Sequence, residues 1–225
     1  MTLHPYLVPL DEAFHSMSDP AIAKGSAAYM KNISAFYGIK APDRRNMLSV
    51  FIKQYGMPET SILKDVVMSA WGHPMREMHY AAMEILFKNR KKSEPDWIQL
   101  YEYMILNKSW WDTIDYISPH CLSYHFIQFP ELLMPTINRW MDSENIWLQR
   151  SCILFQLKAK EKTDEILLFQ LIKRLSNHKE FFIRKAIGWA LREYAKTSPE
   201  AVISFVDSTA LSGLSKREAL KHYTL

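Results

Sequence analysis

Lys108-Ser109-Trp110-Trp111-Asp112-Thr113-Ile114-Asp115 is the stretch from which the rest of the chain can be read. In a helix, Trp110, Ile114, Ile117 and Cys121 fall at i, i+4, i+7 and i+11, an apolar stripe suited to a core. Trp111 and Asp115 are also i and i+4, so they share a second line about 100° round the helix. One indole is thus committed to packing and its neighbour is not. An indole beside a carboxylate, just off a buried stripe, makes an apolar wall with one negative charge, which suits a flat cationic ligand.

Reading onward from Trp111, Arg150 follows after 39 residues and Trp189 after another 39. A period of this size belongs to two-helix repeats, in which equivalent positions line one continuous surface. The spacing predicts that Trp111, Asp115, Arg150 and Trp189 converge. Ile146 to Lys158 is apolar on nearly all sides, with Arg150 its only charge before Lys158. Such a helix belongs in an interior, where a lone arginine must find an anion or reach water. Over 180–196, Ile183, Ile187, Ala190, Leu191 and Tyr194 form a core stripe, and Trp189 stands beside it as Trp111 does beside its own.

The remaining segments carry helical rather than alternating periodicity, so the fold is expected to be all-α and one domain over 1–225. Helices are expected at 7–17, 20–35, 43–55, 59–70, 75–89, 95–106 and 108–117, the last closed by Ser118-Pro119. Further helices are expected up to 141 after Pro130 and Pro135, and at 146–158, 163–176, 180–196, 199–206 and 215–224. Short connections between roughly a dozen helices fit stacked antiparallel pairs better than a single bundle. Two arginines in a first turn, Arg44 and Arg45 after Pro42-Asp43, oppose the helix dipole and point to a partner.

The 225 residues are 48% hydrophobic with a net charge of +4, a balance compatible with a polyanionic partner but not diagnostic of one. Cys121 and Cys152 lack metal-ligand spacing and read as buried, reduced thiols of a cytosolic protein. The eight histidines form no metal set. No basic and apolar leader opens the chain, and no apolar run approaches the roughly 20 residues of a membrane span, so a soluble, cytoplasmic protein is expected.

Four motifs carry a resemblance: KSWWDTID from Lys108, NIWLQRSCILFQLK from Asn145, KEFFIRKAIGWALREYAK from Lys179 and LSKREALKH from Leu214. Together with Tyr29-Met30-Lys31-Asn32, Gly38-Ile39 and Pro42-Asp43-Arg44-Arg45, they make nearly the whole chain resemble the DNA alkylation repair family of AlkD-like glycosylases. The resemblance implies a right-handed superhelix of HEAT-like repeats, curved into a solenoid with a basic concave groove. It implies a monomer acting on double-stranded DNA with an alkylated purine, in base excision repair, without metal or organic cofactor. Carried over by position, the catalytic carboxylate falls on Asp115, the lesion-side indoles on Trp111 and Trp189, the groove arginine on Arg150 and a groove tyrosine on Tyr29. Lys40 stands where relatives carry glutamine, a departure that bears on the contact with DNA opposite the lesion. Arg44, Arg45, Arg150, Lys185 and Lys216 are the expected phosphate contacts.

The implied chemistry matches the residues. A purine alkylated at N3 or N7 is cationic and leaves as a neutral molecule, so no acid is needed; the sugar develops oxocarbenium charge that a carboxylate can stabilise while orienting water. One such charge pair at about 4 Å and an effective dielectric near 20 is worth roughly 4 kcal/mol, about three decades of rate. An arginine can hold a phosphate by charge-assisted bonds, and where many glycosylases extrude the base into a pocket, the resemblance implies recognition in an open groove without one. A DNA-binding paralogue without excision, or a HEAT-like protein scaffold, are the competing readings.

Overall fold

The computed structural model describes residues 2–222. The chain is all-α, and among the described residues no strand forms beyond an isolated bridge between Ala35 and Met75. It divides into two compact units, Met1–Glu94 and Pro95–Leu225.

The first unit holds α1 (Val8–Ser16), α2 (Pro20–Tyr29), α3 (Ala41–Tyr55), α4 (Thr60–Gly72) and α5 (Arg76–Lys88). Asp19 caps α2 by accepting from Ala21 and Ile22 N–H at 2.8 and 3.0 Å, with Pro20 at the first helical position. The helix expected to reach residue 35 stops at Tyr29, because Lys31 and Asn32 take left-handed backbone conformations with φ of 58° and 57°. Gly38 (φ 89°) lies so close to the start of α2 that a Cβ would sit 2.1 Å from the Asp19 carbonyl oxygen. Glu77, buried on α5, accepts the N–H groups of Tyr37, Gly38 and Ile39 at 3.1, 2.9 and 3.2 Å and fixes the loop that leads into α3. The stripe Met78, Ala81, Ala82, Ile85 and Leu86 is fully buried as expected.

The second unit holds α6 (Trp97–Leu106), α7 (Trp111–Tyr116), α8 (Ser123–Gln128), α9 (Leu133–Asp142) and α10 (Ile146–Leu154). It continues with α11 (Glu165–Leu175), α12 (Phe181–Tyr194), α13 (Pro199–Ser208) and α14 (Gly213–Ala219). The final helix ends before the expected 224, and residues 223–225 lie outside those described.

Two local readings are corrected here. Lys108 is left-handed (φ 55°) and Trp110 is extended (φ −160°), so the helix opens at Trp111 rather than 108. Nor does Pro119 end it: α7 passes through a π turn, Ile117–Leu122, into α8. Proline has no N–H to return to the carbonyl four residues back, and a wider turn accommodates that missing bond. Ser118 Oγ donates to the Ile114 carbonyl at 2.8 Å in the same turn.

α10 is buried on nearly every side, as its composition requires, and Asn145 caps it by accepting from Trp147 and Leu148 N–H at 3.0 and 3.2 Å. α12 and α14 pack closely and in parallel, with Gly188 at the contact. A Cβ there would lie 2.4 Å from Glu218 Cβ and 2.8 Å from the Ser215 carbonyl oxygen. Cys121 and Cys152 are buried and free, and burial pushes the Cys152 thiol far above its ordinary range.

Candidate active site

The site begins with the divergence of two adjacent indoles. The extended backbone at Trp110 sends its ring against Trp147 and Phe182, with centroids 5.8 and 5.2 Å away. Trp111, the first residue of α7, faces a cavity of about 290 Å³. Both tryptophans are half-buried, so burial does not divide them as expected; direction does, with Trp110 packing from the extended residue before the helix and Trp111 lining the cavity.

Asp115, one turn further along α7, lines the same cavity with Arg150 from α10 and Trp189 from α12. The 39-residue spacing therefore corresponds to real convergence. Arg150 Nε and Nη2 donate to the two Asp115 carboxylate oxygens, both at 2.9 Å, and Nη1 donates to the Phe182 carbonyl. The anion that the lone arginine of α10 needs is thus Asp115. Only 5% of the Arg150 side chain is exposed, against 17% for Asp115, so the pair is fixed from behind while the carboxylate keeps an open edge. Burial pushes the Asp115 carboxyl up to about 6; the Arg150 charge and its hydrogen bonds pull it part of the way back, and neighbouring Asp112 adds a smaller push upward.

The opposite side of the cavity carries residues that sequence reading did not select. Phe181 and Phe182 open α12, and Arg192 lies three residues after Trp189 on the same face, a signal the helical period could have supplied. Glu218 comes from α14, and its presence depends on the Gly188 contact. Lys185, expected to meet a phosphate, is 2.8 Å from Glu218, which also binds Arg192 at 2.9 Å. Their hydrogen bonds, Lys185 first, hold the Glu218 carboxyl below its usual range.

Other expected site residues lie elsewhere. Lys216 is half-buried on α14 and does not line the cavity. In the first unit, Tyr29 is 70% exposed at the end of α2, and Lys40 and Arg45 are exposed at the start of α3. Arg44, read as serving a partner, is engaged within the unit: its guanidinium lies 3.3 Å from Glu84 and 4.4 Å from the centre of the Tyr80 ring. Among the described residues, no cluster of three or more His, Cys, Asp or Glu is placed to hold a metal ion, and no helix is long and apolar enough to cross a membrane.

A cationic planar group in this cavity would meet two indoles and a carboxylate that a guanidinium holds in one orientation. A family model described as "DNA alkylation repair enzyme" matches residues 10–223. The solved structure of a predicted DNA alkylation repair enzyme from Enterococcus faecalis aligns with a TM-score of 0.85 at 29% identity, covering 92% of this chain and 97% of that one. No curated protein matches the chain.

Proposed function

Because the chain belongs to the DNA alkylation repair enzyme family, we propose that it is a DNA glycosylase. It hydrolyses the N-glycosidic bond of cationic N3- or N7-alkylated purines in double-stranded DNA. The observation that carries this reading is the Asp115 carboxylate, gripped from behind by Arg150 and opening onto a cavity walled by Trp111 and Trp189.

In this mechanism the alkylated base departs as a neutral molecule, and positive charge moves to the deoxyribose. Asp115 stabilises that charge and orients the attacking water, with a hold that requires no rearrangement as the charge develops. A carboxyl with its pKa at about 6 is mostly ionised at neutral pH, as this role demands. Arg150 acts as the positioning residue, since three of its donors are already engaged inside the protein. Trp111 and Trp189 contribute π faces to the cationic nucleotide, each worth about 0.5–2 kcal/mol. The HEAT-like superhelix, its basic groove, and DNA contacts by Tyr29, Lys40, Arg45 and Lys216 belong to the same proposal, whereas Arg44 and Lys185 are held by Glu84 and Glu218.

The test is incubation with a duplex carrying one 7-methylguanine, followed by alkaline cleavage at abasic sites. The expected outcome is strand cleavage at the lesion with the native protein and almost none with Asp115→Asn, whose DNA binding stays near native. Undiminished release by that variant refutes the assignment, and binding without cleavage by the native protein identifies a binding-only paralogue.

A further inference from the structure

A separate cavity of about 260 Å³ is lined by Ser176, His178, Lys179, Arg184 and Ser212, among others, and by no carboxylate. It lies where the start of α12 meets the segment entering α14, and Ser215 Oγ donates to the Arg184 carbonyl at 3.0 Å across that junction.

Arg184 is the unusual member. Four arginines of the same unit answer a carboxylate: Arg139 with Glu102, Arg150 with Asp115, Arg174 with Asp142 and Arg192 with Glu218. Arg184 is half-buried, its Nε is wholly buried without a hydrogen-bond partner, and no carboxylate pairs with it among the described residues. The nearest acid in sequence, Glu180, is exposed and does not line the cavity. A guanidinium partly withdrawn from water, with one buried N–H unanswered and no counter-charge, is under-compensated, and a phosphate would supply both the charge and several acceptors. Lys179 adds a second cation, whereas the Ser176 and Ser212 hydroxyls already donate, to the Lys173 carbonyl at 3.0 Å and to Ser215 Oγ at 2.9 Å.

We propose that this cavity binds a backbone phosphate of the DNA duplex, a few nucleotides from the lesion, through Arg184 and Lys179. The inference rests on the glycosylase reading. It is favoured over capture of free phosphate because Arg184 precedes Trp189 by five residues of one helix. That is about 7.5 Å of axial rise and about 140° round the helix, so both side chains lie within the span of one bound duplex. Lys185, next in sequence, is tied to Glu218, whereas Arg184 has its charge unspent.

The experiment compares binding of an undamaged duplex, by fluorescence anisotropy across a salt series, for the native protein, Lys179→Gln, Arg184→Gln and Lys196→Gln as control. Lys179 is exposed, so its variant tests the site without endangering the fold, and the thermal midpoint of Arg184→Gln is recorded alongside. The expected result is a tenfold loss of affinity for Arg184→Gln and a salt slope reduced by about one for each cavity variant, with Lys196→Gln unchanged. Native slopes in both cavity variants overturn the proposal. If inorganic phosphate raises the thermal midpoint of the native protein but not of Arg184→Gln, while DNA slopes stay equal, the anion comes from solution and the DNA assignment falls. Release of 7-methylguanine by the native protein is measured in parallel, so failure of the phosphate site is separable from failure of the glycosylase reading.

Discussion

Two carboxylates face the same cavity in opposite electrostatic states. Asp115, on the α7 and α10 side, loses more from burial than its single arginine returns, and its carboxyl rises to about 6. Glu218, on the α12 and α14 side, is held by both Lys185 and Arg192 and moves the other way. Residue type does not separate them; the balance of desolvation against donors does. Asp115 is the charge left under-compensated, and so the one with most to offer a cationic partner. Glu218 is a tie between helices.

The sharpest way to break this contrast is to neutralise each acid in turn. Asp115→Asn is expected to lower single-turnover release of 7-methylguanine by about three decades. Glu218→Gln is expected to lower it less than tenfold, and equal losses would erase the distinction.

Removing Arg150 attacks the Asp115 side through stability. Arg150→Met leaves a largely buried carboxylate unpaired and should cost about 3–5 kcal/mol in urea denaturation. The Glu218 side is addressed through Gly188→Ala. The gain of about 1 kcal/mol from a better helix former is outweighed by the 2.4 Å approach to Glu218 Cβ, because backbone and a short stem must move. The net loss expected from denaturation is about 1–2 kcal/mol.

pH separates the two acids without any substitution. In the proposed mechanism excision needs ionised Asp115, so its rate should rise with pH and level off above about 6, with a roughly tenfold deficit one unit below. Stability carries the opposite sign from this group. Between the usual carboxylate range and about 6 the folded protein keeps a proton that the unfolded chain releases, so its contribution falls as pH rises through that window. A rate independent of pH between 5 and 7 would remove Asp115 from the chemistry.

Much of this was legible in the chain. The all-α class and most helix spans follow from periodicity and breakers, which act within a turn or two, whereas the separation of Trp110 from Trp111 comes from the extended backbone before α7. Trp111, Arg150 and Trp189, spaced by 39 residues, do line one cavity, although they stand first, fifth and ninth in α7, α10 and α12 rather than at equivalent helix positions. Pro119 misled, since proline usually stops a helix and a π turn carries this one past it.

The partners of the charges were the part that only the fold could decide. Nothing local to Arg150, Arg44 or Lys185 says that each will meet a carboxylate 35, 40 or 33 residues away, or that Arg184 will meet none. Sequence fixes which side chains carry charge and which face of a helix they occupy. Whether a charge is answered inside the protein or kept for a ligand depends on what tertiary packing brings within about 4 Å, at a depth where water no longer screens it.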